Sequence, residues 1–380
     1  MNYPRAKTKV FLSEELENSS YTGNLYGYYH PETDIFNILA WNDETRKVYS
    51  NLNLNFVGKI VQSSDINEAP YEFLMGVREI DQINFRMGNK IYKKEHYNLI
   101  QNIFSRNTGI IETDWMLNKT VLISGCGSVG SLVALELAKA GVGNFVLVDN
   151  DIFNFHNICR HQCGIKDVGR FKVEALKDRI LEINPYANIS TFPAILETLS
   201  KEIFDQFCKL GTIIISCADS READNYANQI ASLYSIPFVS IGFWERAFAG
   251  EVFYFIPDQN MPCYECSIGI QNDNLSRPKG NHRIYSTQEN LENINFEPGI
   301  SVDINFVTII AIKLILDLLN LHNPSFTPRV IDYLTQFTLI CNTNNPKIGG
   351  KLAEIFGHPL QVTNSIKVSY KNSCPPCKYK

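Results

Sequence analysis

Residues 120–130 read TVLISGCGSVG and continue into SLVALELAKAGV, so a short apolar strand, a glycine turn and a helix follow one another directly. That order opens a nucleotide-binding βαβ unit. Gly125, Gly127 and Gly130 permit the tight turn and let the backbone approach a phosphate. The start of the helix adds free N–H groups and a partial positive charge. The next strand, FVLVD (145–149), ends on Asp149, about 20 residues on, where such units place the carboxylate that holds ribose hydroxyls. The motif calls for a nucleotide but does not separate NAD from ATP.

Outward from this unit the pattern repeats. FKVEALKDRILEIN has helical spacing and stops at Pro185, ANISTF reads as a strand, and a helix is expected near ETLSKEIFDQFCKL. The strands TIIIS (212–216) and FVSIG (238–242) flank the helical EADNYANQIASLYS. Continuous apolar strands alternating with helices predict an α/β fold, a Rossmann-like, doubly wound, mainly parallel sheet with right-handed crossovers. From RAFAGEVFYFIP onward the strands should turn antiparallel. Before the sheet, NLYGYYH, DIFNILAW, KVYSNLNLNFVGKIV and YEFLMGV have β character and are separated by turns such as HPET and WNDE. The expected organisation is a β-rich N-terminal accessory or substrate-recognition domain over 1–115 and a nucleotide domain over 116–380.

A length of 380 residues suits two domains, and 44% hydrophobic content is enough for a sizeable core. A formal charge of −5 with no basic run argues against nucleic acid as a partner. The N-terminal MNYPRAKTKVFLSEELENSS lacks a signal-peptide core. The greasiest stretch, Ile304 to Leu319, is interrupted by Lys313 and Asp317 and is too short for a bilayer. It is read as a buried helix, and the chain as cytoplasmic with no membrane partner.

Three further clusters carry chemistry. DIFNFHNICRHQ (151–162) brings Asn157 and Arg160, and DVGRFK (167–172) brings Lys172. Hydride transfer needs no such group, because the pyrophosphate of NAD stays intact. Adenylation does, because charge moves onto the leaving pyrophosphate as a carboxylate attacks the α-phosphorus. Arg160 and Lys172 are the candidate cations and Asn157 a neutral donor, although each alone reads more readily as a solvated surface residue. IIISCADS (213–220) sets Asp219 just past a parallel strand, at the edge where open α/β sheets bind ligands. It suits a Mg²⁺ anchor. The competing role, capping the next helix, is available to Ser220 instead.

Of the ten cysteines, Cys126, Cys159, Cys163, Cys208, Cys217 and Cys341 are scattered singly, where a buried free thiol is the usual state. The other four form two CxxC pairs, Cys263/Cys266 and Cys374/Cys377, which match a closed, structural four-thiolate zinc site. A redox CxxC would need a thioredoxin-like context that these residues lack.

Taken in order, GCGSVG, LVDND, HNICRHQ, DVGRFK, INP, SCADS and the two CxxC pairs resemble the MoeB/ThiF/ubiquitin-activating superfamily over roughly residues 118–377. The resemblance implies a ThiF-type adenylation domain acting with ATP, Mg²⁺ and structural Zn²⁺. It places Gly125, Gly127 and Gly130 in the phosphate loop and Asp149 on the ribose. Asn157, Arg160 and Lys172 fall on the triphosphate, Asp219 on Mg²⁺, and Cys263, Cys266, Cys374 and Cys377 on zinc. The substrate it implies is the C-terminal carboxylate of a ubiquitin-like or sulfur-carrier protein, and the expected assembly is a homodimer. INFEPGISVDINFVTIIAIKLILDLL is similar to the family's helix after its crossover loop, which cradles the substrate tail.

Two positions depart from the family. Leu99 occupies the slot of an N-terminal arginine that reaches the partner subunit's ATP, leaving Arg106 as the candidate replacement. Residues 267–300 hold no cysteine for a thioester or persulfide, so adenylation without a covalent enzyme intermediate is the simpler reading. The alternatives are adenylation of a short peptide (the microcin-maturing type, which carries an added N-terminal peptide-binding domain), a thioester-forming enzyme of bacterial ubiquitin-like conjugation, an NAD(P)-dependent oxidoreductase, and a catalytically silent scaffold.

Overall fold

In a computed structural model, the described residues are 8–65, 71–80, 82–257, 259–271, 298–363, 367–371, 374 and 377. The chain separates into two compact units, Met1–Arg106 with Asn184–Tyr186, and Asn107–Ile183 with Ala187–Lys380.

The first unit is a closed seven-stranded barrel. Its strands are β1 (Lys9–Ser13), β2 (Gly23–His30), β3 (Ile35–Ala40), β4 (Asn55–Gln62), β5 (Leu74–Glu79), β6 (Gln82–Met87) and β7 (Lys90–Tyr97), in the order β1-β3-β2-β4-β5-β6-β7. Closure comes from parallel pairing of β1 with both β3 and β7. Alternate residues such as Val10, Leu12, Phe36, Ile38, Ile83 and Phe85 fill the interior, as the period of two in a strand requires. One expectation needs correcting. KVYSNLNLNFVGKIV is a strand only from Asn55, because Asn42 and Thr45 form a capping box that starts a helix over Asp43–Val48.

The second unit is an eight-stranded sheet. Its strands are β8 (Thr120–Ser124), β9 (Asn144–Val148), β10 (Asn188–Phe192), β11 (Thr212–Ser216), β12 (Phe238–Phe243), β13 (Ala249–Phe255), β14 (Phe337–Cys341) and β15 (Gln361–Thr363). Their order is β10-β9-β8-β11-β12-β13-β14-β15. The first five are parallel, and β13 to β15 run antiparallel. This is the mixed α/β, Rossmann-like sheet anticipated above. Strand order reverses between β8 and β11, which is where such sheets open a crevice at their carboxyl edge.

Two apolar clusters make up the core of this unit. One contains Val121, Ile123, Phe145 and Leu147 of the strands with Val133 and Leu137 of the helix Ser128–Lys139. The other contains Leu122, Val146, Ile214 and Phe238 with Ala227 and Ala231 of the helix Arg221–Leu233. Ile304–Leu319 belongs to a helix, Ser301–Leu319, whose Ile304, Val307, Ala311, Leu314, Ile315 and Leu318 join the first cluster. No helix among the described residues is long and apolar enough to cross a membrane. The crossover loop before this helix lies outside the described residues.

Candidate active site

The carboxyl ends of β8, β9, β11 and β12 open together onto a cavity of about 640 Å³. Gly125, Gly127, Asp149, Asn157, Arg160, Lys172 and Asp219 all line it. These residues span almost 100 positions of sequence, and the parallel sheet gathers them at one edge.

Each of the three glycines has its own reason. Gly125 has φ of +88°, and a Cβ there would lie 2.8 Å from the Cys217 carbonyl oxygen. A Cβ on Gly130 would lie 1.9 Å from the Gly125 carbonyl oxygen, so this glycine lets the helix pack onto the turn. Gly130 does not line the cavity. A Cβ on Gly127 would meet nothing within 4 Å, so the absent side chain there leaves space open to the cavity. Gly127 is also the N-cap of Ser128–Lys139, with no side-chain capping bond. The first N–H groups of a helix lack intrahelical acceptors, and here no side chain from the cap position covers them.

Asp149 accepts from the Cys126 N–H at 2.7 Å through one oxygen and from the Asp151 N–H at 2.8 Å through the other. Burial pushes its pKa up, against the pull of Lys172 and these amide bonds. Each oxygen keeps lone-pair capacity for a ribose hydroxyl. Lys172 is nearly buried, and its Nζ sits 2.6 Å from Asp151 Oδ2. Asn157 uses its side-chain oxygen to accept the Asn154 N–H at 2.8 Å. That leaves its amide N–H groups as donors on a residue that lines the cavity.

Asp219 is exposed and makes no hydrogen bond or ion pair among the described residues. The reason is local: Ser220 caps the helix Arg221–Leu233, its Oγ accepting the Ala223 N–H at 3.0 Å. The carboxylate stays available for a cation.

Asp151 and His161 are among the lining residues that the sequence leaves unassigned. Asp151 holds Lys172, and the loop between them is closed by an Ile152–Phe171 bridge and by the Lys172 N–H donating to the Asp151 carbonyl. Sequence alone carries no signal for that closure, although DIFNFH did mark the segment. His161 is buried behind the glycine turn, its Nε2 2.8 Å from the Cys126 carbonyl oxygen.

Behind the wall formed by Trp244, the indole N–H donates to Glu251 at 2.9 Å, and Glu251 pairs with Arg221 at 3.1 Å. Tyr264, between the first two CxxC cysteines, donates to Asp224 at 3.0 Å. The Sγ atoms of Cys263, Cys266, Cys374 and Cys377 all lie within 4.8 Å of one another. Individual separations are 3.4 Å (263–374), 3.8 Å (266–377) and 3.9 Å (263–266). Four thiolates around a tetrahedral ion with bonds of about 2.3 Å lie about 3.8 Å apart, so this cluster fits a metal.

A match to the ThiF family covers residues 101–349, more than half of the chain and all of the cavity-lining segments. The chain belongs to the ThiF family. Within it, the chain is similar to the adenylyltransferase and sulfurtransferase UBA4 of Meyerozyma guilliermondii, 32% identical over 146 residues, 38% of this chain and 33% of that protein. It is similar to the ubiquitin-like modifier-activating enzyme 5 of Caenorhabditis elegans, 29% identical over 44% of each. It also resembles the molybdopterin-synthase adenylyltransferase of Escherichia coli, 31% identical over 40% of this chain and 60% of that one. The chain thus spans between about a third and 60% of the length of these ThiF-family relatives. Among solved structures, E. coli MccB with MccA-N7isoASN shares the fold at TM-score 0.51 and 19% identity, over 74% of this chain and 75% of that one. E. coli MccB with ATP matches at TM-score 0.50 and 20% identity, over 70% and 69%.

Proposed function

We propose that this chain is an adenylyltransferase that uses ATP and Mg²⁺ to activate the C-terminal carboxylate of a ubiquitin-like or sulfur-carrier protein. The observation that carries the reading is the convergence of Arg160, Lys172, Asn157 and Asp219 on one cavity over the glycine turn. A nicotinamide oxidoreductase would use Gly125, Gly127 and Asp149 equally well and leave those four without a task.

In this reading the nucleotide lies with its ribose on Asp149 and its phosphates over Gly127. A carboxylate oxygen attacks the α-phosphorus, the bond to the β-phosphate oxygen breaks, and pyrophosphate leaves with the electron pair. Arg160 and Lys172 neutralise the charge that accumulates on it, and Asn157 donates to a phosphate oxygen. Lys172 reaches this role from its pairing with Asp151, which holds the ammonium beside the phosphate path before the nucleotide arrives. Asp219 holds Mg²⁺, which supplies Lewis-acid neutralisation of the phosphates. No covalent enzyme intermediate is invoked. The four cysteines hold a structural zinc ion, and the active form is a homodimer in the cytoplasm.

A second reading keeps the chemistry and replaces the carrier by a short peptide. It is favoured by the separate barrel unit that precedes the sheet, a natural site for gripping a substrate, and by the fold shared with MccB, solved in company with MccA. Pyrophosphate exchange into ATP tests both. Exchange should require Mg²⁺ and a carboxylate substrate, either a small carrier ending in Gly-Gly or a peptide. Background exchange with every carrier and peptide tried, together with tight NADH binding, would remove the reading.

A further inference from the structure

The geometry points to His161 as a positioning residue for the nucleotide's phosphates, acting through the peptide between Cys126 and Gly127. This inference rests on the reading of the cavity as an ATP site.

His161 is 7% exposed and is held on several sides. Its Nδ1 accepts the Cys163 N–H at 3.0 Å, so the ring proton is on Nε2. That Nε2–H then donates to the Cys126 carbonyl at 2.8 Å. Phe153 packs against the ring edge-to-face at 4.8 Å, and the His161 backbone N–H donates to Asn157 at 2.9 Å. Burial keeps the imidazole neutral, with its pKa lowered to about 4.

The consequence follows from peptide geometry. In a trans peptide the carbonyl and the next N–H point in opposite directions. With the Cys126 carbonyl drawn inward to the buried imidazole, the Gly127 N–H is turned the other way, toward the cavity that Gly127 lines. Glycine imposes little of its own on φ, so nothing intrinsic to residue 127 prevents this peptide from rotating. If it rotated, the Cys126 carbonyl would face the phosphates in place of an N–H, substituting repulsion for a charge-assisted hydrogen bond. Asp149 pins the N–H of Cys126 and His161 pins its carbonyl, so the turn is clamped at both ends of one residue. The same histidine directly follows Arg160, which ties the phosphate turn to the segment bearing the catalytic cation.

The test is a matched pair, His161→Gln and His161→Met, of similar size and differing in whether the side chain can donate. Binding of adenosine, ADP and ATP is measured for each against the wild type. The expectation is that His161→Met weakens ADP and ATP by about tenfold, the scale of one charge-assisted hydrogen bond, with adenosine nearly unchanged. His161→Gln should recover ATP to within about threefold of wild type. Equal ATP binding by folded His161→Met would overturn the inference, as would parallel loss of adenosine and ATP, or no recovery in folded His161→Gln. Should His161→Met fail to fold, the crystal structure of His161→Gln with a non-hydrolysable ATP analogue decides. A Gly127 N–H on a phosphate oxygen supports the assignment, and a rotated 126–127 peptide overturns it. A wild type that binds no adenine nucleotide instead overturns the adenylation reading itself, before His161 is reached.

Discussion

The buried charges of the barrel and the Asp219 carboxylate at the edge of the sheet are used in opposite ways. In the barrel, the buried Asp34 accepts from Tyr92 at 2.6 Å, Lys90 at 2.9 Å and Tyr29 at 3.0 Å. The buried Arg78 donates to the carbonyls of Tyr21, Glu17 and Leu16. These charges are engaged in holding the unit closed. At the carboxyl edge of the sheet, Asp219 has no partner among the described residues, and Asn157 lines the cavity with its side-chain oxygen already engaged. An open parallel sheet collects loops and helix starts at its carboxyl edge. Chemistry is expected where polar groups are positioned but not saturated.

Four experiments can break or sharpen this contrast, and the largest effect concerns neither engaged nor idle charges but the cysteine cluster. Cys266→Ser should lose bound zinc, seen in the metal-to-protein ratio, and lower the melting temperature sharply, because structural zinc binding contributes on the order of 10 kcal/mol. A wild type that carries no zinc and a variant with the same melting temperature would refute a metal there. Next comes Asp219→Asn, for which pyrophosphate exchange should fall by about 10²–10³, or about 3–4 kcal/mol, with melting temperature unchanged. A clear loss of stability in that variant would show that the carboxylate is engaged after all, and the contrast between the units would fail.

Asp34→Ala should do the reverse. It leaves two phenols without their acceptor, so denaturant unfolding should show a loss of about 2–3 kcal/mol, while exchange per folded molecule is kept. Burial raises the Asp34 carboxyl pKa, but hydrogen bonds from Tyr92, Lys90 and Tyr29 outweigh it, leaving the pKa below the ordinary 3.8. Its contribution is therefore present above that value and lost as pH falls below it.

The smallest effect is the acid response of the sheet unit. A histidine that stays neutral when folded takes up a proton on unfolding below its ordinary value of 6.5. Stability should therefore decline as pH falls from 6.5 toward 4, by about 2 kcal/mol between pH 7 and pH 5. His161→Gln should flatten that slope. An unchanged slope would mean that His161 is not the group responsible.

Much of this is legible in the sequence. GCGSVG after an apolar strand announced the phosphate turn, SCADS offered Ser220 as a cap that frees Asp219, and the two CxxC pairs anticipated a four-thiolate cluster. The limits are equally specific. KVYSNLNL reads as a strand by composition and is interrupted by a helix that the Asn42–Thr45 capping box starts. KIYKKEHY is assigned no element from the sequence, yet it is β7 and pairs with β1 to close the barrel, with Tyr92 buried. Gly130 reads as one of three phosphate glycines, and it lies in the first turn of the helix Ser128–Lys139, packed on the Gly125 carbonyl.

The sequence alone determined the parts governed by short-range sterics and periodicity: which segments are parallel strands, where glycine must sit, which residues end up at strand termini. Tertiary structure alone decided which charge meets which. Lys172 with Asp151, His161 on the Cys126 carbonyl, and Cys263 beside Cys374 are each separated by loops or whole elements. Such pairings depend on strand order and helix packing, and no local rule of composition or spacing contains them.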